Sequence, residues 1–352
     1  MARPASKGTP PPARPKPRGA FITGCAGLAL TADETAFIRD QRPAGLILFS
    51  RNCDTHDQVR RLTDDFRKAL GEQDVLVLID QEGGRVQRLR PPQWRALPPA
   101  SAFGALYAQD KTRGLAAARL AARVAAQELA QLGITMNCAP VLDLPVPGAH
   151  GIIGDRAYGT VPGDVAELAR AVATGLLAGG VLPVIKHIPG HGRATADSHL
   201  ELPIVKTSAQ DLRAHDFAPF RLLADLPAAM TAHVVYEAFD AKEPATTSLT
   251  LVQDIIREEI GFQGLLMSDD LGMKALAGTM RERTQRSLFA GCDVVLHCNG
   301  NLAEMRDVAA AAGPLEPTAS LRLAGCLALL GADQSFDLAE AEAHLAAAFA
   351  LA

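Results

Sequence analysis

Short apolar runs alternate along the chain with longer stretches of helical periodicity. The runs are four to six residues long and apolar almost throughout, which is typical of parallel strands covered on both faces. They predict strands at residues 20–24, 45–49, 75–80, 134–138, 181–186, 228–233, 264–269 and 294–297. The intervening stretches predict helices at residues 31–39, 55–70, 112–132, 162–178, 209–223, 249–260, 280–290, 302–312, 317–331 and 337–350.

Eight strands that alternate with helices predict an α/β fold of the TIM-type (β/α)8 class, because eight parallel strands close such a barrel. No linker-like change of composition follows residue 19, so we assign residues 19–352 to one barrel domain with C-terminal helices. The segments 139–161 and 189–204 are too long and too rich in Gly and Pro to be plain connections. We expect them to be lids or binding loops.

Residues 1–18 differ from the rest of the chain. They contain six prolines and five basic residues but no acidic residue. Such a segment cannot bury enough apolar surface to fold, so we expect a disordered tail.

The composition excludes several classes of partner. The 352 residues are 48% hydrophobic and 21% charged with a net charge of -4, which gives no reason to expect nucleic acid. No stretch reaches the roughly 18 apolar residues of a membrane span. The six cysteines are scattered without a C-x-x-C pair, which indicates free thiols of a reducing compartment. We therefore expect a cytoplasmic protein without a membrane partner.

Several predicted strands end in ionisable residues, and in α/β barrels this rim carries the chemistry. The residues are Asp80, Lys186, His187, His233, Asp269 and Asp270. Ionisable groups at one rim are unfavourable unless they bind each other or a ligand. Carboxylates together with Lys, Arg and His, without a Gly-rich phosphate loop, suit a polyhydroxylated ligand such as a sugar.

The loop after the fifth predicted strand is the most informative segment. It reads Lys-His-Ile-Pro-Gly-His-Gly over residues 186–192, and Asp197, Ser198 and His199 follow. A zinc site built from His187, His191, His199 and Asp197 is one alternative by residue type, although the spacing matches no helical zinc signature. A sugar-binding protein without catalytic activity is another.

Four ordered motifs resemble glycoside hydrolase family 3, and most closely its single-domain bacterial β-N-acetylhexosaminidases of peptidoglycan recycling. They lie at residues 79–89, 154–159, 186–199 and 255–272, and the similarity extends from about residue 20 to about residue 335. Ile188 departs from the family pattern, where phenylalanine is usual. The resemblance implies the barrel fold, retaining hydrolysis of terminal N-acetylglucosamine, no metal or other cofactor, and a disaccharide or small muropeptide as substrate.

The resemblance also implies the catalytic residues. Successive side chains of a strand point to opposite sides, so Asp269 and Asp270 should not both face the sugar, and the family pattern selects Asp269 as nucleophile. For the proton donor, Glu82 and Glu201 are candidates by residue type, but the resemblance implies Asp197 and His199. Histidine can serve as acid and then as base near neutral pH, and a nearby carboxylate can orient its ring.

The remaining predicted site residues would hold the sugar: Asp80, Arg88, Arg156, Lys186, His187 and His233. The preferred leaving group stays open, although the resemblance implies 1,6-anhydro-N-acetylmuramic acid with or without its peptide. Phosphate could also replace water in the second step, since a histidine acid/base does not repel it. We expect a monomer.

Overall fold

Eight parallel strands close into a barrel in the computed structural model, which describes residues 17–194, 196–331 and 336–350. In chain order the strands are β1 (Gly19–Thr23), β2 (Pro43–Leu48), β3 (Leu76–Ile79), β4 (Met136–Asn137), β5 (Leu182–Ile188), β6 (Ala228–Thr231), β7 (Leu265–Asp270) and β8 (Val294–His297). Each strand pairs with its neighbours in sequence, and β1 closes the barrel against β8. The predicted (β/α)8 barrel is confirmed, with all eight strands where the apolar runs predict them.

Alternate residues of the strands belong to two separate cores. Ile22, Ile47 and Leu78 pack inside the barrel, whereas Phe21 and Leu48 pack between the barrel and the surrounding helices. Both sides are thus buried, which explains why the strands are continuous apolar runs rather than alternating ones. Full burial of each such side chain contributes about 1.5–3 kcal/mol relative to exposure.

Helices surround the barrel, and most lie where the periodicity predicts them. Their bounds are Ala32–Gln41, His56–Leu70, Ala100–Gln109, Lys111–Gln131, Pro162–Ala178, Met280–Ala290, Leu302–Ala312, Pro317–Leu327 and Leu338–Ala350. Local sequence fixes several starts: Thr31 and Thr279 form capping boxes, and Pro162 occupies the first turn of its helix.

Three helical segments differ from the prediction. Helix Ala100–Gln109 is absent from the predicted set. The predicted helix at 209–223 is divided into Ala209–Asp211, a π-helical turn at Leu212–Asp216 and Ala218–Leu222. The predicted helix at 249–260 is π-helical over Leu251–Glu259.

Small elements at the carboxyl rim shape the loops there. Gln81–Gly83 and Val86–Gln87 form an antiparallel hairpin directly after β3. Ile204–Val205 pairs in parallel with Val235–Tyr236, which ties the end of the loop after β5 to the segment after β6.

The tail prediction requires one correction at its boundary. Residues 1–16 lie outside the described residues, but Arg18, which we assigned to the tail, is buried at the amino rim of the barrel. Its guanidinium donates to Glu72 Oε2 at 2.5 Å and to the carbonyls of Ala44 and Asp74 at 3.2 Å. The ordered domain thus begins before Gly19. Across the described ranges, no helix combines the length and hydropathy needed to cross a bilayer.

Candidate active site

A cavity of about 290 Å³ opens at the carboxyl ends of the strands. Its wall includes seven of the predicted site residues, namely Asp80, Arg88, Arg156, Lys186, His187, His199 and Asp269. Both long loops contribute, since Ile152 and Arg156 come from 139–161 and Ser198 and His199 from 189–204. A larger groove of about 680 Å³ lies outside the barrel but contains no predicted site residue. The smaller cavity is therefore the candidate active site.

Five charged side chains form what we call the charged floor of the cavity. Lys186 Nζ contacts Asp80 Oδ1 at 2.8 Å and Glu82 Oε1 at 2.6 Å. Arg88 Nη2 donates to Asp80 Oδ2 at 2.8 Å. Arg156 donates through Nε and Nη2 to both Glu82 oxygens, each at 2.8 Å. This bidentate pair fixes the plane of the guanidinium.

The charged floor stays ionised although it is buried. Burial alone would raise the pKa of Asp80, but Lys186 and Arg88 outweigh it and hold that pKa well below its usual range. Lys186 and Arg156 lower the pKa of Glu82 in the same way. Burial disfavours the Lys186 ammonium, yet the two carboxylates raise its pKa. Fixed charges and donors therefore face the cavity before any ligand enters.

Glu82 is poorly suited to the proton-donor role that its residue type allows. Both of its oxygens accept hydrogen bonds from Arg156, and Lys186 holds it ionised. Glu201, the other candidate by residue type, is exposed and absent from the cavity wall.

The two aspartates at the end of β7 differ in their partners rather than in the side they face. Both line the cavity, so strict alternation, which we used to separate them, does not hold here. The strand register shifts between Met267 and Asp270, which accounts for the departure. Asp270 Oδ1 accepts hydrogen bonds from Gly272 N at 3.0 Å and Cys298 N at 3.2 Å. Asp270 thus caps the loop through its carboxylate, although it lines the cavity as Asp269 does.

The Asp269 carboxylate is kept ionised. Burial would raise its pKa, but the imidazoles of His233 and His187, the Asp270 N–H and the Lys186 ammonium together lower it. The Asp270 N–H donates to Asp269 Oδ1 at 2.8 Å. Because burial lowers the pKa of His233, that imidazole contributes little at neutral pH, whereas the Asp270 N–H and the Lys186 ammonium continue to lower the pKa of Asp269.

His233 lies beneath the site rather than in its wall. Its side chain is fully buried, with Nδ1 2.7 Å from Thr246 Oγ1 and Nε2 3.0 Å from the Asp270 carbonyl oxygen. Both ring nitrogens are therefore occupied by protein groups. The structure does not bring His233 to the cavity with the other predicted sugar ligands, because it supports the end of β7 from below.

Asp143, which is not among the predicted site residues, orients the His187 ring and also binds the His191 backbone. It is fully buried, and its Oδ2 lies 2.6 Å from His187 Nδ1. Its Oδ1 accepts from His191 N at 2.6 Å and His187 N at 3.2 Å. Since these donors lower the pKa of Asp143 to about 2 despite burial, the carboxylate is an acceptor and His187 must carry its proton on Nδ1. His187 Nε2 is then left for a ligand.

Asp197 and His199 form a pair on the loop above the cavity. Asp197 Oδ1 is 2.8 Å from His199 Nδ1 and also accepts from His199 N at 2.9 Å. The His199 side chain is 63% exposed and that of Asp197 is 19% exposed. Burial would raise the pKa of Asp197, but the His199 N–H and ring lower it. An ionised Asp197 thus orients the imidazole, so Nε2, on the opposite edge, can exchange a proton with a ligand.

The residues suggested for zinc do not converge. Among the described residues, no group of three or more His, Cys, Asp or Glu side chains is arranged to hold a metal ion.

Comparisons with known proteins identify relatives over most of the chain. The N-terminal domain of glycosyl hydrolase family 3 matches residues 22–321. A β-hexosaminidase of Alkalilimnicola ehrlichii is 41% identical over 285 residues, which cover 80% of this chain and 81% of the relative. A β-hexosaminidase of Methylococcus capsulatus is 42% identical over 277 residues, covering 78% and 80%. The solved structure of NagZ from Neisseria gonorrhoeae in complex with N-trifluoroacetyl-D-glucosamine is 35% identical with a TM-score of 0.86, covering 95% of this chain and 98% of that one.

Proposed function

The chain belongs to glycosyl hydrolase family 3 and is a glycoside hydrolase of the β-hexosaminidase type, and we propose that it removes terminal N-acetylglucosamine with retention of configuration. The observation that carries this proposal is that one cavity brings together a candidate nucleophile and a candidate proton donor. An ionised carboxylate, Asp269, lines the wall, and a carboxylate-oriented histidine, His199, lies on the loop above it.

In the first step, Asp269 attacks the anomeric carbon while His199 Nε2–H protonates the departing glycosidic oxygen. The bond to the leaving group breaks, and a covalent glycosyl-aspartate forms. In the second step, the now neutral His199 takes a proton from water as the water oxygen attacks the same carbon. Asp269 leaves as a carboxylate, and two inversions give net retention.

The ionisation states suit these roles. The lowered pKa of Asp269 keeps the nucleophile charged. Asp197 stabilises the imidazolium and holds it through Nδ1, so the proton to be transferred lies on Nε2. General acid–base catalysis of this kind contributes typically about 10²–10⁴-fold.

The cavity supports removal of a single terminal sugar. Its volume of about 290 Å³ lies near the lower limit of small-molecule sites, roughly 300–1,000 Å³. The charged floor offers carboxylate acceptors and cationic donors to hydroxyl groups, and His187 Nε2 provides a further contact. We assign sugar contacts to Asp80, Arg88, Arg156, Lys186 and His187.

We extend the proposal to peptidoglycan fragments in which N-acetylglucosamine is joined to 1,6-anhydro-N-acetylmuramic acid, with or without peptide. The related NagZ was solved in complex with N-trifluoroacetyl-D-glucosamine, an N-acylated glucosamine, which supports the sugar. Such recycling fragments call for a cytoplasmic enzyme, and the six free cysteines suit a reducing compartment. No cofactor enters the mechanism, and we propose a monomer.

The test is to follow the anomeric products by proton NMR as p-nitrophenyl N-acetyl-β-glucosaminide is cleaved in phosphate buffer. We expect β-N-acetylglucosamine as the first-formed sugar. The α-anomer as first product would contradict retention, and a sugar phosphate, detected by ³¹P NMR, would replace hydrolysis with phosphorolysis. Absence of turnover would contradict the glucosaminidase proposal itself.

A further inference from the structure

The loop that carries Asp197 and His199 is fixed at both ends. At its start, Tyr236 Oη donates to the Gly190 carbonyl at 2.6 Å, and Arg193 Nε donates to Asp216 Oδ2 at 2.6 Å. At its end, Ile204–Val205 pairs with Val235–Tyr236. These contacts lie outside the segment that bears the pair, so a separate contact must set its position over the cavity.

Ser198, between Asp197 and His199, provides that contact. It is 3% exposed although His199 beside it is largely exposed, so this residue points down into the cavity wall. Ser198 Oγ is 3.0 Å from His191 Nε2, and the Ser198 carbonyl accepts from Ala275 N at 3.2 Å. Ser198 thus connects the Asp197–His199 pair to a buried histidine, His191.

The backbone of His191 is held closely beneath the loop. Its backbone N–H donates to Asp143 Oδ1, and its ring lies edge-on to that of His187, with 5.6 Å between the ring centroids. A Cβ on Gly192 would lie 2.0 Å from the Leu144 carbonyl oxygen, so the backbone beside His191 fits closely against the neighbouring loop. Burial, with the nearby His187, lowers the pKa of His191 to about 4, which keeps its ring neutral at physiological pH.

We propose that His191 is a positioning residue, which holds Ser198 and thereby presents the Asp197–His199 pair to the glycosidic oxygen. The inference rests on the proposed function, because it requires His199 to be the proton donor. Asp143 orients the His187 ring and accepts from the His191 backbone N–H, so one buried carboxylate contacts both the histidine of the cavity wall and the histidine beneath the acid/base loop.

The test uses two glycosides of N-acetylglucosamine, one with a phenyl and one with a 2,4-dinitrophenyl leaving group. The phenyl substrate needs protonation, and the dinitrophenyl substrate does not. We expect His191→Ala and Ser198→Ala each to lower kcat/KM for the phenyl glycoside by about 10–100-fold, part of the general-acid contribution. The dinitrophenyl glycoside should lose less than about 3-fold, and the inhibition constant of free N-acetylglucosamine should not change.

Three comparisons separate positioning from a merely structural role. His191→Gln, which keeps a polar nitrogen near the position of Nε2, should restore phenyl glycoside turnover to within about 3-fold of wild type. Adding His191→Ala to His199→Ala should cause no further loss on the phenyl substrate, because the two residues would act in one step. Ser320→Ala, at an exposed serine of helix Pro317–Leu327, is the matched control and should behave as wild type.

An equal loss on both substrates, or failure of glutamine to rescue, would overturn the inference. If His191→Ala does not fold, the smaller change Ser198→Ala decides the question by the same measurement. If the loss of kcat/KM caused by His199→Ala is the same for both leaving groups, the proposed role of His199 as acid is wrong. If the loss caused by His199→Ala depends on the leaving group but the losses caused by His191→Ala and Ser198→Ala do not, only the positioning role of His191 is wrong.

Discussion

Asp143→Asn tests the buried carboxylate that binds both His187 and His191. Asp143 has no exposed surface and accepts from His187 Nδ1, His187 N and His191 N. An amide has one oxygen instead of two, and its NH₂ group would face a donor. We therefore predict that the substitution lowers the free energy of unfolding by about 3 kcal/mol.

The magnitude follows from the ionisation of Asp143. Its ordinary pKa of 3.8 falls to about 2 because the donors from His187 and His191 outweigh burial. A carboxyl group whose pKa is lowered by folding stabilises the folded state above its unfolded pKa, here by about 2 kcal/mol. In Asp143→Asn, the amide NH₂ group that faces another N–H donor adds about 1 kcal/mol to the destabilisation. The part of the destabilisation by Asp143→Asn that depends on the Asp143 charge should be constant from about pH 7 to 4.5 and fall to about half near pH 3.

Urea unfolding followed by circular dichroism measures this difference between the variant and the wild type across pH. The matched control is Asp225→Asn, which removes a carboxylate that is 68% exposed and pairs with Arg170. It should change the free energy of unfolding by less than about 1 kcal/mol. A loss below about 1 kcal/mol for Asp143→Asn at pH 7, or a loss undiminished at pH 3, would refute the reasoning.

Other substitutions address the catalytic residues and their loop. Asp269→Ala should abolish turnover of p-nitrophenyl N-acetyl-β-glucosaminide, and activity like the wild type would rule it out as nucleophile. His199→Ala should lower kcat about 10²–10⁴-fold on glycosides with poor leaving groups and far less on activated aryl glycosides; an equal loss on both would argue against its acid role. Gly192→Ala should lower the free energy of unfolding by about 1–3 kcal/mol, since its Cβ would lie 2.0 Å from Leu144 O. It should also lower kcat. Gly163→Ala, with no atom within 4 Å of the new Cβ, is its control and should do neither. Dialysis against EDTA should leave turnover unchanged, because the proposed steps use Asp269 and His199; activity lost with EDTA and restored by zinc would favour the metal alternative.

The barrel could be predicted because its signal is local. Each strand is buried on both faces, so its sequence is a continuous apolar run that does not depend on its neighbours. Helix Ala100–Gln109 lacks such a signal: Pro99 provides no side-chain cap, and its apolar residues are not confined to one face. The π-helical turn at Leu212–Asp216 was also unpredictable from apolar spacing. There Phe217 N bonds to Leu212 O, and Pro219 follows without an N–H to donate.

The site was predictable where its residues follow strands directly. Asp80, Lys186 and Asp269 reach one cavity because parallel strands end at the same rim. Asp143 has the same kind of signal, a carboxylate shortly after β4, but its apolar neighbours suggest a continuing strand. Its role depends on partners 44 and 48 positions away, His187 and His191, which local patterns do not reveal.

The charged floor has a consequence for how this cavity can change over evolution or in design. Each of its members is paired with another member in a largely buried place, so removing Asp80 leaves Arg88, and removing Glu82 leaves Arg156, without the carboxylate that it contacts. Substitutions there should be strongly non-additive, with the second change in a pair restoring part of what the first removed. Altered sugar preference at this floor is therefore reached through coupled replacements, such as Glu82 together with Arg156, rather than through a series of independent single steps.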